Sequence, residues 1–239
     1  MFITHGQSLP RFRIWEAQTS DLDKHHAILT LREMDGLRQQ IEEGVKILRN
    51  GGVVAFPTDT VYGLGSDAFN IRAVERIYEI KSRPRHQQFP LLVADGKEMT
   101  TLAEPVPRIA WFLAGRFWPG GLTLVLSKTN VAPAYLASGP TIAVRVPDHP
   151  VCLALIKGLG NPLIGTSANI SGQPAGSTAE EVDEQLKGKI DLVINGGKCP
   201  GGKESTVVDV THEPPTILRE GIIPSHEISR AYREYLEAE

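Results

Sequence analysis

Lys81 and Arg83 stand two positions apart in the run Lys81-Ser82-Arg83-Pro84, a spacing that lets two cations reach one anionic group such as a polyphosphate. Pro84 has no backbone N–H with which to continue a helix, so the pair is expected at a helix C-terminus. Cations there also stabilise the helix macrodipole with no ligand present, and for an isolated K-x-R that solvated face is the stronger reading. Arg145 sets a harder condition. It interrupts the apolar run TIAVRVP, where a guanidinium removed from water must find a carboxylate, a phosphate or several carbonyls.

Two polar turns add neutral hydrogen-bonding groups. PTDTVYGLGSDA, residues 57–68, directly follows an apolar strand, where α/β folds present ligand-binding loops. Its Thr58, Asp59, Thr60 and Tyr62 suit a small polar substrate, although Thr and Gly also build plain turns. TSANISGQPAGST, residues 166–178, gathers Thr166, Ser167, Asn169 and Ser171 after another strand, with glycines that permit close approach to a ligand. Ser205 at the opening of STVVDV and Arg219 in ILREG look, one at a time, like ordinary surface residues.

Several chemistries are excluded. GLGSDA is not G-x-G-x-x-G and no G-x-x-x-x-G-K-[ST] occurs, so the two common nucleotide loops are missing. His226-Glu227 lacks the second histidine of H-E-x-x-H, His25-His26 has no companion at metal spacing, and Cys152 and Cys199 form no C-x-x-C. No protein-built metal site or disulfide framework is expected. A net charge of −3 gives no global footprint for gripping a nucleic-acid backbone. No run approaches the ~18 apolar residues of a membrane span, and the first residues lack a signal peptide's apolar core, so a cytoplasmic protein without a membrane partner is expected.

The elements that must position these groups alternate in type. Leu37, Ile41, Val45 and Leu48 predict a helix ending near Gly51, followed by a strand at 53–56 and a helix over 71–82. Further strands are expected at PLLVA, LTLVLS, TIAVRV, PLIGTSAN, IDLVIN, STVVDV and TILRE. Helices are expected at PRIAWFLAGRFW, HPVCLALIKGLG, AEEVDEQLKG and SHEISRAYREYL, the third opened by a Thr178/Glu181 capping box. The pattern is α/β (α+β), with residues 1–35 as an irregular N-terminal extension carrying one short strand at 12–15, and residues 36–239 as one domain.

Taken in order, PTDTVYGLG, KSRP, PGGLTLVL, TIAVRVP, TSANISG, STVVD and ILREG resemble the threonylcarbamoyl-AMP synthase family, the YrdC-like proteins, over residues 37 to 224. The resemblance reverses the reading of KSRP from helix end to phosphate grip. It implies a twisted, open mixed sheet with flanking helices and a large concave cleft, in the short single-domain form. It also implies a nucleotidyltransferase that joins L-threonine, bicarbonate and ATP into threonylcarbamoyl-adenylate and pyrophosphate. A downstream transferase would then modify tRNA, and magnesium would arrive with ATP. Lys81, Arg83, Thr141, Ser167, Asn169 and Arg219 match the ATP-binding set, with Lys81 and Arg83 acting in catalysis. Thr58, Thr60, Arg145 and Ser205 match the threonine-binding set. Both cations of KSRP are expected to face ligand rather than core. RHQQFPLLVAD departs from the family pattern, and no contact is assigned over residues 85–95. The alternatives are a carbamoyl-adenylate-forming domain of the hydrogenase-maturation type, and an RNA-binding or ribosome-associated module; weak RNA contact stays open.

Overall fold

Helical spacing of Leu37, Ile41, Val45 and Leu48 produces the expected helix, which turns them toward Val151, Cys152, Leu155 and Ile156. In the computed structural model this helix, α1, runs Asp21–Arg49, so residues 21–35 are helical rather than irregular. The structure describes residues 21–238 except 131, 137, 138 and 201, with side chains from residue 34 on, that of residue 134 excepted. The strand expected at 12–15 lies outside the described residues. Leu37–Glu239 forms one compact unit.

After α1 come β1 (Val54–Phe56), β2 (Gly63–Gly65), α2 (Ile71–Lys81), β3 (Leu91–Leu92), α3 (Met99–Leu102) and α4 (Arg108–Phe117). The central pair β4 (Leu122–Ser127) and β5 (Thr141–Arg145) is followed by α5 (Pro150–Leu159), β6 (Leu163–Ile164) and β7 (Thr166–Ser167). The chain closes with α6 (Ala179–Leu186), β8 (Leu192–Val193), β9 (Thr206–Asp209), β10 (Thr216–Arg219) and α7 (Ser225–Ala238). The expected mixed α/β architecture holds, with its strands divided between two sheets. One has the order β7-β2-β1-β8 and the other β10-β9-β4-β5-β3-β6. Both are mixed: β1 pairs antiparallel with β2 and parallel with β8, while β4 pairs antiparallel with β5 and parallel with β9.

The sheets meet where β6 passes into β7. Gly165 lies between them, and the Ile164 N–H donates to the Ser66 carbonyl at 2.9 Å. A side chain would be crowded here, since a Cβ on Gly165 would stand 2.5 Å from Leu92. Val74, Ile77 and Tyr78 of α2, Leu113 of α4 and Leu122, Leu124, Val144 and Val208 of the larger sheet share one buried cluster. Ile228, Ala231 and Tyr235 of α7 complete it, with Tyr235 edge-on to Phe112 at 5.6 Å. At about 25 cal/mol per Å² of apolar surface removed from water, this cluster is the main term holding the sheets in place.

The helix ends obey local rules. Asn70 caps α2 by accepting from the Arg72 and Ala73 N–H groups, and Ser82 leaves the helix in the left-handed region at φ 48°. That reversal turns the chain between Lys81 and Arg83, so the two side chains leave in different directions. At α6, Thr178 Oγ1 accepts from the Glu181 N–H as expected of an N-cap. The Glu181 carboxylate reaches the Ser177 N–H at 2.6 Å, one residue ahead of the position a capping box would use.

Candidate active site

The cleft lies between the two sheets, with a volume of about 360 Å³, at the small end of the ~300–1,000 Å³ typical of small-molecule sites. The smaller sheet contributes the β1–β2 turn and β7; the larger contributes β3, β4, β5, β9 and β10. Thr58, Thr60, Arg83, Thr141, Arg145, Ser167, Ser205 and Arg219 all line it. These come from turns and strands scattered along the sequence, and the sheet topology brings them together.

Arg145 finds the partners that burial demands. Only 6% exposed, it donates from Nη2 to Asp59 Oδ1 at 2.6 Å, from Nη1 to Thr60 Oγ1 at 3.1 Å and from Nε to the Gly120 carbonyl at 2.9 Å. Burial lowers its pKa while the Asp59 carboxylate opposes that fall. A guanidinium carries five N–H groups, so three bonds leave two for a ligand. The threonines are wired into the same network: Thr58 Oγ1 donates to the Val61 carbonyl at 2.7 Å and lies 3.0 Å from Thr60 Oγ1.

At the other end of the cleft, Arg219 donates from Nη1 to Glu204 Oε2 at 2.5 Å and from Nη2 to the Ser205 carbonyl at 2.9 Å. Ser205 Oγ accepts from Arg219 at 3.2 Å and lies 2.9 Å from Thr123 Oγ1. Arg83 reaches this region with Nε and Nη2 bonded to the Gln87 and Gln88 carbonyls, its guanidinium 4.9 Å from the centre of the Phe89 ring. Burial lowers its pKa. Three arginines therefore face one cleft, with Glu204 in its lining and Asp59 behind Arg145.

Lys81 stands one step back from the cleft. It is 2% exposed and lies behind Ser167, outside the cleft lining. Its Nζ donates to the Ser167 carbonyl at 2.7 Å and to Asn169 Oδ1 at 2.8 Å. Burial, with help from Arg83 and against Glu204, brings its pKa down to about 8. Asn169 is also buried, its amide donating to the Ile170 and Gln173 carbonyls. The K-x-R and S-x-N runs are thus joined directly, with Ser167 and Arg83 on the cleft side and Lys81 and Asn169 behind.

Sequence reasoning passes over several groups here. Asp59 reads as one member of a polar turn, with no signal that its partner lies in a strand 86 positions away. Glu204 and Thr123 carry no pattern beyond polarity. His86 and Gln88, from the stretch that departs from the family pattern, line the cleft as well. Among the described residues no group of three His, Cys, Asp or Glu side chains could hold a metal, and both Glu204 in the lining and Asp59 beside it are bonded to arginines. No described helix is long and apolar enough to cross a membrane.

Known proteins share this fold. A relative from Pyrococcus abyssi, named threonylcarbamoyl-AMP synthase, is 44% identical over 204 residues, covering 83% of this chain and 60% of its own length. The crystal structure of P. abyssi Sua5 complexed with L-threonine superposes with a TM-score of 0.77 at 44% identity, over 80% of this chain and 56% of that one. Escherichia coli YciO superposes at 0.73 with 34% identity, over 80% of this chain and 92% of that one. The chain thus spans little more than half the length of the two P. abyssi proteins and nearly all of YciO. The Sua5/YciO/YrdC family model, described as telomere recombination, matches residues 46–221, and the chain belongs to that family.

Proposed function

We propose that the cleft joins L-threonine, bicarbonate and ATP into threonylcarbamoyl-adenylate and pyrophosphate, with residues 36–239 as the catalytic domain and 1–35 as an extension. The observation that carries this reading is the convergence of Arg83, Arg145 and Arg219, with Ser167, Ser205 and the PTDT threonines, on one cleft between two sheets. A relative's structure holding L-threonine supports the amino acid as a substrate. Arg145, with two N–H groups to spare beside Thr60, is the natural partner for its carboxylate. Arg83 and Arg219 are the natural partners for the phosphates.

The chemistry needs positioning and charge stabilisation rather than a covalent nucleophile. Bicarbonate loses hydroxide to give carbon dioxide, threonine's neutral amine attacks its carbon, and the amine proton passes to that hydroxide, leaving a carbamate and water. A carbamate oxygen then attacks the α-phosphorus of ATP, the bond to the bridging oxygen breaks, and pyrophosphate leaves with the electron pair. Fixed arginines stabilise the charge developing on the phosphoryl oxygens and the leaving group. Holding both substrates in one cleft removes much of the entropic barrier. Magnesium would come bound to the nucleotide's phosphates, because the cleft offers it no free carboxylate pair. The product would pass, in the cytoplasm, to a transferase acting on tRNA.

The test is pyrophosphate release from ATP and bicarbonate with and without L-threonine. Threonine-dependent release is expected. Release that is indifferent to threonine would favour a carbamoyl-adenylate activity instead, and no release under any condition would end the nucleotidyltransferase reading.

A further inference from the structure

The two carboxylate–arginine pairs of the cleft are built differently. Asp59 is fixed: its Oδ1 accepts from both Arg145 and the Asp148 backbone N–H, and the paired side chains are 7% and 15% exposed. Among the described residues the Glu204 carboxylate is held only by Arg219 Nη1, and the Arg219 and Glu204 side chains are 45% and 39% exposed. Just ahead of β9 the Glu204 backbone is tied to the turn after β10, since its carbonyl accepts from the Ile222 N–H at 2.9 Å and a Cβ on Gly221 would collide with that carbonyl oxygen. Side-chain torsions alone can carry the half-exposed carboxylate away from Arg219.

Its charge matters beyond Arg219. Glu204 raises the pKa values of both Lys81 and Arg83, while Arg83 and Arg219 repel each other. It is the carboxylate of the cleft that sits among these cations, at the place where an incoming phosphate would need Arg219. A carboxylate and a polyphosphate cannot both take the same guanidinium edge without strong like-charge repulsion.

We propose that Glu204 is an internal counter-anion that competes with an anionic ligand for Arg219 and must swing away when that ligand binds. The role rests on reading the cleft as a nucleotide site and deepens it. Glu204 keeps the three cations from repelling one another between turnovers, and its return to Arg219 helps expel pyrophosphate. The counter-anion thereby weakens ground-state binding of the product and favours release.

The experiment measures binding of magnesium-free inorganic pyrophosphate and of adenosine to the wild-type protein and to Glu204→Gln by calorimetry. Glutamine keeps the shape and removes the charge. Pyrophosphate affinity is expected to rise about 3- to 10-fold at low salt, the modest gain appropriate to a half-exposed pair, and to shrink as salt is added. Neutral adenosine is expected to bind both proteins equally. Unchanged or weaker pyrophosphate binding in Glu204→Gln overturns the proposal, as does adenosine tightening in step, which would mark a change of packing rather than charge. If neither protein binds pyrophosphate or adenosine, the nucleotide reading falls with it. Threonine-dependent release by the wild type without the affinity gain would overturn the counter-anion role alone.

Discussion

The Lys81 ammonium donates to Asn169 Oδ1 at 2.8 Å across 88 positions of sequence, and to the carbonyl of Ser167 beside it. This cation of the K-x-R run thereby braces a cleft-lining serine. Lys81→Met should therefore cost stability as well as activity. Removing the donor leaves the buried Asn169 Oδ1 unsatisfied, at about 1–3 kcal/mol, partly offset because a buried charge is removed too, while the Ser167 carbonyl keeps the Asn169 N–H at 3.0 Å. Urea unfolding checks this, and an unchanged midpoint with lost activity would return Lys81 to a ligand-facing role.

The same residue sets a pH dependence. Lys81 titrates near 8, against an ordinary 10.5, so between those values the folded chain binds fewer protons than the unfolded one. By linkage, the stability term from this group rises with pH across that window, as the penalty for burying the charge is relieved. The brace on Ser167 and Asn169 weakens over the same range. ATP affinity is expected to decline as pH rises through about 8 while stability does not. Binding isotherms at successive pH values, paired with urea midpoints, separate the two; ATP affinity flat from neutrality to about pH 10 would contradict the assignment.

Arg145 and Asp59 form the buried pair of the cleft, and the two halves are unequal in a test. Arg145→Ala strands a carboxylate that is only 15% exposed, and breaking a buried pair this way typically costs about 3–5 kcal/mol. Asp59→Asn keeps an acceptor for the guanidinium and should cost less. It should still raise the KM for threonine, since the orientation of Arg145 depends on Asp59. Denaturant midpoints and substrate-dependent kinetics of both variants read this out, and equal stability losses would mean that an acceptor without the charge of Asp59 does not hold the pair.

Much of this is legible in the sequence because it depends on local pattern. Leu122–Ser127 and Thr141–Arg145 appear as strands where their alternating and β-branched residues place them, and Pro84 stops α2 at the expected position. Arg145 announces itself as a charge without water. Other parts have no local signal. Gly63–Gly65 forms a strand although glycine disfavours one, because β1 on one side and β7 on the other supply its hydrogen bonds. Glu204 lies beside a recognisable motif, yet nothing in its neighbours tells that Arg219 faces it. The division of the strands into two sheets at Gly165 is likewise a tertiary fact, since PLIGTSAN reads as one strand with a polar end.

The contact between the sheets offers a final check that isolates backbone proximity from charge. On Gly65 of β2, a Cβ would stand 2.6 Å from the Ile164 carbonyl oxygen and 2.8 Å from Phe56. The first of these neighbours is backbone, so the strand itself must move. Overpacking of this kind typically costs about 1–3 kcal/mol. Ile164 leads through Gly165 into Ser167, so Gly65→Ala should also disturb the serine braced by Lys81 and weaken ATP binding. Gly115, exposed on α4 with no atom within 4 Å of where its Cβ would stand, is the matched control. Gly115→Ala should stabilise by up to ~1 kcal/mol through helix propensity and leave ATP binding alone. Parallel behaviour of the two variants in urea and in ATP titration would mean that close approach at Gly65 does not couple the sheets to the site.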